Sequence, residues 1–351
     1  MMRLLSRDTP GHPAATVLTM LLLVGLLATP FALPGARALA TASEICCFAV
    51  LAASYDVLLG YTGIVSFAHV TFFGLGAYGA AIPLANGWVG WSGLGVGALA
   101  AVALSATLAV VIGLLSLRVQ AIFFSMITLA VASFVQLLAT QLRAVTGGED
   151  GLTFSLPRAL SPGFRLLRDP LLGARIDGRL LAYYGVLVVA ITLFLSLLRI
   201  VNSPFGRVLQ AIRENAFRAE ALGYRSVVYR TIACVVGAVV ASLAGSLMAV
   251  ATRYVGPDSV LSFGLMIDVL LMVVIGGMGT LYGPLLGCCL IVLANHYLQP
   301  ALQSLSGELA GIPVLPLLVS ADRWLLWLGV LFVVTVGVFP AGIVGTLRAR
   351  R

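Results

Sequence analysis

The stretch LAYYGVLVVAITLFLSLLR, residues 181–199, carries no charged side chain before its final arginine. A helix needs roughly 20 predominantly apolar residues to cross the hydrocarbon core of a bilayer, and this stretch is long enough to do so. Similar runs lie on both sides of it, at about 15–33, 39–59, 64–86, 93–117, 121–142, 231–252, 260–275, 282–298 and 324–340. We therefore predict an all-α fold: a polytopic transmembrane helical bundle of about ten spans, occupying residues 1–351 as one domain.

The composition agrees with lipid as the main solvent. Hydrophobic residues make up 60% of the chain and charged residues 10%, whereas soluble proteins carry about 25% charged residues. All 21 basic residues are arginine, so the chain lacks a phosphate-binding P-loop lysine and a lysine nucleophile or base. If ATP drives this protein, another subunit must bind and hydrolyse it, and we predict no cofactor in this chain.

The net charge of +8 does not indicate a nucleic-acid partner, because no basic stripe is interleaved with exposed aromatic residues. The cysteines all lie inside apolar runs without the C-x-x-C spacing of a zinc site. We interpret them as small buried hydrophobic residues and predict no metal site: Cys46, Cys47, Cys234, Cys288 and Cys289.

The arginines also predict topology, because cytoplasmic loops of membrane proteins are enriched in basic residues. Both arginine-bearing termini are predicted to be cytoplasmic, which requires an even number of spans and puts residues 200–230 inside. Residues 143–180 then lie outside as a periplasmic loop, although they contain six arginines. Residues 38–40, Ala-Leu-Ala, resemble a signal-peptidase site, but the long preceding apolar run favours a retained anchor helix.

Residues 203–223, SPFGRVLQAIRENAFRAEALG, predict a single amphipathic helix at the cytoplasmic surface. Ser203 suits the N-cap, Pro204 the first helical position and Gly223 a left-handed C-terminus. Glu214 and Arg218 form an i,i+4 pair. The apolar face holds Val208, Ile212, Ala216 and Ala219, and the polar face holds Arg207, Gln210, Arg213, Glu214 and Arg218. Spacing alone does not separate a plain connector from a helix that docks a cytoplasmic subunit.

Two glycine-rich segments interrupt the apolar runs. One begins at Gly60 and Gly63 and continues through His69 to Gly74, Gly76 and Gly79. The other, GGMGTLYGP at residues 276–284, begins with Gly276 and Gly277. Each segment either allows close packing and turning or provides unwound backbone along a substrate path. For His69 we favour a hydrogen-bonded packing role over a proton relay.

Three carboxylates lie in or near predicted spans, where an ionisable side chain is a functional candidate. Glu44 and Asp56 are near predicted helix ends and could pair locally, whereas Asp268 is in the middle of a span. Residues 146–152, TGGEDGL, are predicted to form a turn cluster.

Five segments, in order along residues 45–345, together resemble one family: the permease family of the high-affinity branched-chain amino acid ABC transporters, closest to its LivM type. They are GYTGIVSFAHVTFFGLGAY from Gly60, TGGEDGL from Thr146, SPFGRVLQAIRENAFRAEALG from Ser203, DVLLMVVIGGMGTLYGP from Asp268 and VFPAGIVG from Val338. The chain departs from the common pattern at Asp56, where asparagine is frequent, and in the Val-Thr pair after His69, which leaves the solute open.

This resemblance implies an importer in the bacterial cytoplasmic membrane. It implies a second permease subunit, two cytoplasmic subunits that bind ATP and magnesium, and an extracytoplasmic solute-binding protein. Residues 203–223 would then be the coupling helix, with Glu220 and Gly223 in its family core. The solute would be a branched-chain amino acid, or alternatively urea, a short amide or an aromatic acid.

Two rival functions come from other classes. An ion-coupled secondary transporter would use Asp56, His69 and Asp268 as coupling residues, but it leaves the arginine-rich surface helix unexplained. A membrane enzyme would need a nucleophile and base or a metal cluster, and the spans show neither. For an importer, we predict a path between residues 60–79 and the break at residues 276–284, because exposed helix ends can bind both ends of a zwitterion without a fixed charge. The candidate path residues are Gly60, Gly63, His69, Gly74, Gly76, Asp268, Gly276 and Gly277.

Overall fold

Each of the ten apolar runs of the sequence contains a helix in the computed structural model, which describes residues 13–32, 35–116, 121–161, 163, 177–308, 323–339 and 341–349. The helices that correspond to these runs are α1 (Pro13–Ala32), α2 (Ala36–Thr62), α3 (His69–Ala85), α4 (Trp91–Ser116), α5 (Ala121–Gln141), α7 (Gly178–Val201), α10 (Ser226–Thr252), α12 (Phe263–Gly276), α13 (Tyr282–Glu308) and α14 (Trp324–Val338). Short helices lie between and after them: α6 (Arg143–Thr146), α8 (Pro204–Glu214), α9 (Ala216–Ala221), α11 (Pro257–Val260) and α15 (Gly342–Ala349).

Seven helical segments of the described residues are long and apolar enough to cross a membrane: Ala36–Thr62, Trp91–Leu114, Ile122–Gln141, Gly178–Val201, Ser226–Thr252, Pro257–Gly276 and Tyr282–Ser304. Three shorter apolar helices cover the remaining predicted spans: Thr16–Ala32, His69–Ala85 and Leu326–Thr335. The all-α transmembrane fold is therefore confirmed, and the predicted count of ten is approximate.

Helix α2 forms the centre of the bundle. All of its residues from Thr41 to Thr62 are buried except Glu44, and it packs against α7, α10, α12 and α13. A helix that is apolar on every face belongs in a protein interior. The small side chains of α2, such as Ala49, Ala52 and Ala53, let several neighbouring helices approach it at once.

Helices α3 and α10 cross so closely that their backbones are in contact. A Cβ atom on Gly76 would overlap the carbonyl oxygen of Ser242, and one on Gly245 would overlap the carbonyl oxygen of Phe73. The hydroxyl of Ser246 donates to the carbonyl of Gly76 at 3.0 Å. Small residues permit this close approach between membrane helices.

The surface segment after α7 is not the single helix that the sequence predicts. Asn215 leaves the helical conformation, with φ −157° and ψ 98°, and separates α8 from α9. Its side-chain oxygen accepts the backbone N–H of Arg218 at 3.0 Å, so Asn215 is the N-cap of α9. Glu214 and Arg218 consequently lie on two different helices, and the predicted i,i+4 pair within one helix is wrong.

At the opposite end of α10 the chain forms a small sheet. Strand β1 (Leu152–Thr153) pairs antiparallel with β2 (Tyr254–Val255). The predicted turn cluster lies directly before β1: Gly147, Gly148 and Gly151 have positive φ angles, and Gly148–Asp150 form one 3-10 turn. This end of the bundle therefore joins the segment after α5 to the segment after α10.

These contacts divide the loops between two ends of the bundle. Residues 203–223 lie at the end where α2 finishes and α13 begins, and residues 146–161 lie at the end where α10 finishes. Which end faces the cytoplasm stays a prediction from the arginine distribution.

Cysteine labelling in intact cells tests this orientation. On a cysteine-free background, a Ser155→Cys variant should react with an impermeant maleimide from outside, because Ser155 is exposed in the predicted periplasmic loop. Phe217→Cys, at a side chain 82% exposed, should react only after the membrane is permeabilised. The reverse pattern would contradict the topology.

Candidate coupling and translocation site

Helix α8 lies against the ends of α2, α7 and α10. Ser203 is its N-cap and Pro204 occupies the first helical turn, as predicted. Leu209 and Ile212 are its buried apolar residues, while Gly206 approaches the carbonyl of Val201 so closely that a Cβ atom there would overlap it. The sequence interpretation missed Leu209 and Gly206 as buried contacts.

The predicted coupling residues on α8 and α9 are all exposed: Arg207, Arg213, Glu214, Arg218 and Glu220. Gly223 follows α9 with φ +93°, and the next residue, Tyr224, donates its N–H to the carbonyl of Ala219 at 3.1 Å. This left-handed termination confirms the conformation predicted for Gly223. The exposed set forms a polar surface at one end of the bundle.

Arg213 differs from the other arginines of this segment. Its guanidinium Nη1 donates to the backbone carbonyl of Gly60, near the end of α2. The predicted polar face of the helix therefore contains one residue that reaches into the bundle. No local pattern signals this contact, because 153 positions separate the two residues.

Asp56 is fully buried in α2. Its Oδ1 accepts the backbone N–H of Gly279 at 2.9 Å, so this carboxylate binds the turn between α12 and α13. The backbone of Gly279 also lies directly against Gly60. Residues 60–79 and 276–284 were predicted as the two sides of a path, and Gly60 and Gly279 bring them into contact at this point.

The break at residues 276–284 is a tight turn between α12 and α13. Gly277 and Gly279 have φ angles of +114° and +83°, which glycine adopts without steric cost. A side chain on Gly276 would overlap the carbonyl of Gly283. Gly342, at the start of α15, packs against Gly277. The glycine contacts 276–283 and 277–342 therefore bring together the end of α12 and the starts of α13 and α15.

Gly74 and Gly76 do not lie in unwound backbone. Both are inside the continuous helix α3, where Gly74 faces Leu261 and Gly76 faces Ser242. Within residues 60–79, the chain is non-helical only between α2 and α3, where Gly63 has φ +73°. The positions of Gly74 and Gly76 agree with the packing alternative. A role for these two glycines in lining a path stays a prediction.

His69 is fully buried at the start of α3. Its Nε2 lies 2.8 Å from the Oγ of Ser54, and its ring packs against Tyr55 and Phe72. This is the hydrogen-bonded packing environment that the sequence favoured.

Polar side chains pair between α2 and α13, two of the predicted spans. His296 Nε2 and Glu44 Oε2 are 2.6 Å apart, and Arg37 donates to the carbonyl of His296 at 3.3 Å. Asp268 of α12 is half-buried and lies near Asn295 of α13. The sequence named Glu44 and Asp268 but not their partners on α13, because pairing between separate spans has no local signal.

The bundle also contains an apolar cavity of about 310 Å³ between α1, α2, α7 and α13. Its walls are hydrocarbon side chains such as Leu22, Leu187 and Phe194. A charged zwitterion would lose its hydration there without compensating hydrogen bonds. We therefore do not assign the solute path to this cavity. No group of three or more metal-binding side chains occurs among the described residues.

Comparison with known proteins agrees with these features. Residues 37–336 match the family described as the permease component of branched-chain amino acid transport systems. The LivM permease proteins of the high-affinity branched-chain amino acid transport systems of Salmonella typhimurium and Escherichia coli are each 26% identical over 83% of this chain and 71% of their own length. A probable LivM protein of Methanocaldococcus jannaschii is 27% identical over 72% of this chain and 69% of its own.

No solved structure matches the chain at a significant level. The match to the family covers most of the chain, including α8, the glycine turn and all the polar contacts described above. The resemblance inferred from five sequence segments is confirmed. The chain belongs to the branched-chain amino acid permease family of ABC transport systems, and is a multi-pass protein of the inner membrane and a transporter subunit rather than an enzyme.

Proposed function

We propose that this chain is the permease subunit of an ATP-driven importer that carries branched-chain amino acids into the cytoplasm. The observation that carries the proposal is the exposed polar surface of α8 and α9, which is fixed to the bundle by buried apolar residues. In this proposal two cytoplasmic ATPase subunits bind that surface. A second permease subunit completes the pathway, and an extracytoplasmic binding protein delivers the solute.

The solute is the least constrained part of the proposal. Branched-chain amino acids are favoured because the relatives named above are permeases for them. Urea, short amides and aromatic acids are alternatives within the family. Binding measurements on the binding protein that co-purifies with this chain would separate these solutes.

Uptake into proteoliposomes tests the mechanism. Vesicles that contain this chain, its second permease subunit and the ATPase subunits should accumulate leucine when ATP is supplied on the ATPase side and loaded binding protein on the other. Vesicles with this chain alone and a proton or sodium gradient should not. Gradient-driven uptake by the chain alone would instead support the ion-coupled alternative.

The ion-coupled alternative would use Asp56, His69 and Asp268. Two of these residues, Asp56 and His69, have local partners that give them a structural role. Asp56 binds the Gly279 N–H, and His69 lies beside Ser54 within an aromatic cluster. A relay needs groups that exchange protons with water, and both side chains are fully buried. These contacts favour the ATP-driven proposal.

A further prediction concerns ATP itself. The purified chain should hydrolyse no ATP, because it has no lysine to bind the β- and γ-phosphates in a P-loop. Colorimetric phosphate release from a preparation shown by mass spectrometry to contain no ATPase subunit would check this. Release above the level of empty vesicles would contradict it.

A further inference from the structure

Three segments that are distant in sequence meet around Arg213. The guanidinium of Arg213, on α8, donates to the Gly60 carbonyl of α2. Asp56, one helical turn earlier in α2, accepts the N–H of Gly279 in the turn between α12 and α13. Two hydrogen bonds, one of them from a charged donor and the other to an acidic side chain, therefore link the surface helix to this turn through the end of α2.

Glycines provide the space for this link. A side chain on Gly60 would overlap both the Asp56 carboxylate and the Gly279 nitrogen. A Cβ atom on Gly279 would lie 3.0 Å from Arg213 Nη1, and one on Gly63 would lie 3.3 Å from Arg213 Cγ. The guanidinium end of Arg213 is therefore held against backbone, although the residue as a whole is exposed.

We propose that Arg213 is a positioning residue that ties α8 to the turn at residues 277–281, rather than part of the surface that binds an ATPase subunit. The inference rests on the proposed function, because it assigns a role within coupling. A movement of α8 that follows ATP binding in the partner reaches the turn through Gly60 and Asp56. The neighbouring arginines, Arg207 and Arg218, remain on the docking surface.

The experiment compares Arg213→Gln with Arg207→Gln in the full complex, reconstituted in proteoliposomes. Each variant removes one positive charge from the same helix. Arg213→Gln should keep wild-type association with the ATPase subunits and an ATPase rate within about twofold. Its uptake should fall at least about tenfold, the factor expected when a charge-assisted hydrogen bond is lost. Arg207→Gln should lower association, ATPase rate and uptake together.

A second measurement follows the turn directly. Met278 is 45% exposed, so a Met278→Cys variant can be labelled on a cysteine-free background. Labelling should depend on whether the ATPase subunits hold nucleotide, and Arg213→Gln should remove that dependence. A merely structural role of Arg213 would change protein yield without changing this dependence in the protein that remains folded.

The opposing outcomes are distinct. Wild-type uptake by Arg213→Gln, or loss of ATPase association like that of Arg207→Gln, would overturn the inference. If Arg213→Gln does not insert, Arg213→Lys replaces it, because its ammonium can still donate to the Gly60 carbonyl. Restored uptake together with nucleotide-dependent labelling of Met278→Cys supports the link, and restored uptake without that dependence overturns it. Failure of the wild-type complex to take up solute with ATP would instead overturn the proposed function.

Discussion

Replacing Gly76 with leucine should prevent the folded protein from accumulating. The first added carbon would overlap the carbonyl oxygen of Ser242 on α10, so the two helices would have to separate. Overpacking a core costs about 1–3 kcal/mol where side chains can adjust. Here the obstacle is backbone, so we expect the free-energy cost to lie at or beyond the upper end of that range. Yield and thermal stability of the detergent-solubilised protein measure it.

Gly185→Leu is the matched control. Gly185 also lies inside an apolar helix, α7, but nothing is found within 4 Å of the position of an added Cβ. This variant should accumulate at the wild-type level. Folded Gly76→Leu protein that lacks only uptake would instead favour a path along α3, and fully active Gly76→Leu protein would contradict the packing geometry itself.

Replacing Gly223 with proline should abolish uptake while the chain still inserts. Gly223 has φ +93°, and the pyrrolidine ring restricts φ to about −65°, so proline cannot occupy this conformation. The N–H of Gly223, which donates to the carbonyl of Glu220 at 2.9 Å, would also be lost. The end of α9 must then rearrange, together with the exposed surface that we assign to the ATPase subunit. Uptake and co-purification of that subunit check the result.

Gly223→Asn separates backbone conformation from side-chain bulk. Nothing lies within 4 Å of a Cβ at this position, and asparagine tolerates the left-handed region better than other non-glycine residues. We expect Gly223→Asn to retain most of the uptake. Equal loss in both variants would show that the empty space beside Gly223, and not its φ angle, is required for docking.

The sequence predicted what depends on local composition. Each apolar run became a helix because a backbone in lipid must satisfy its hydrogen bonds within the segment. Gly223 and the turn at residues 276–284 were also readable, because positive φ angles favour glycine. Asn215 was a missed signal: asparagine is a preferred N-cap, and its position within an arginine-rich helical pattern concealed the break.

The contacts between spans could not be read in this way. Helical periodicity assigned Arg213 to the exposed face, and the residue is exposed. Its hydrogen bond to Gly60 was not predicted, because periodicity gives a direction around the helix axis but not the position of a neighbouring chain. The pairing of Glu44 with His296 joins residues 252 positions apart. For Gly74 and Gly76, the sequence left both packing and unwinding open, and the continuous helix α3 packed against α10 and Leu261 agrees with packing.

The two-stranded sheet limits which residues of this protein can be replaced during evolution. Its hydrogen bonds come from the main chain, so the pairing of residues 152–153 with 254–255 survives many replacements of the side chains. Thr153 and Tyr254 are exposed, whereas Val255 is buried. Position 153 can therefore vary freely, whereas the side chain of Tyr254 lies against Gly151 and Gly256. We expect homologues to vary at position 153 while the outline of this end of the bundle is inherited unchanged.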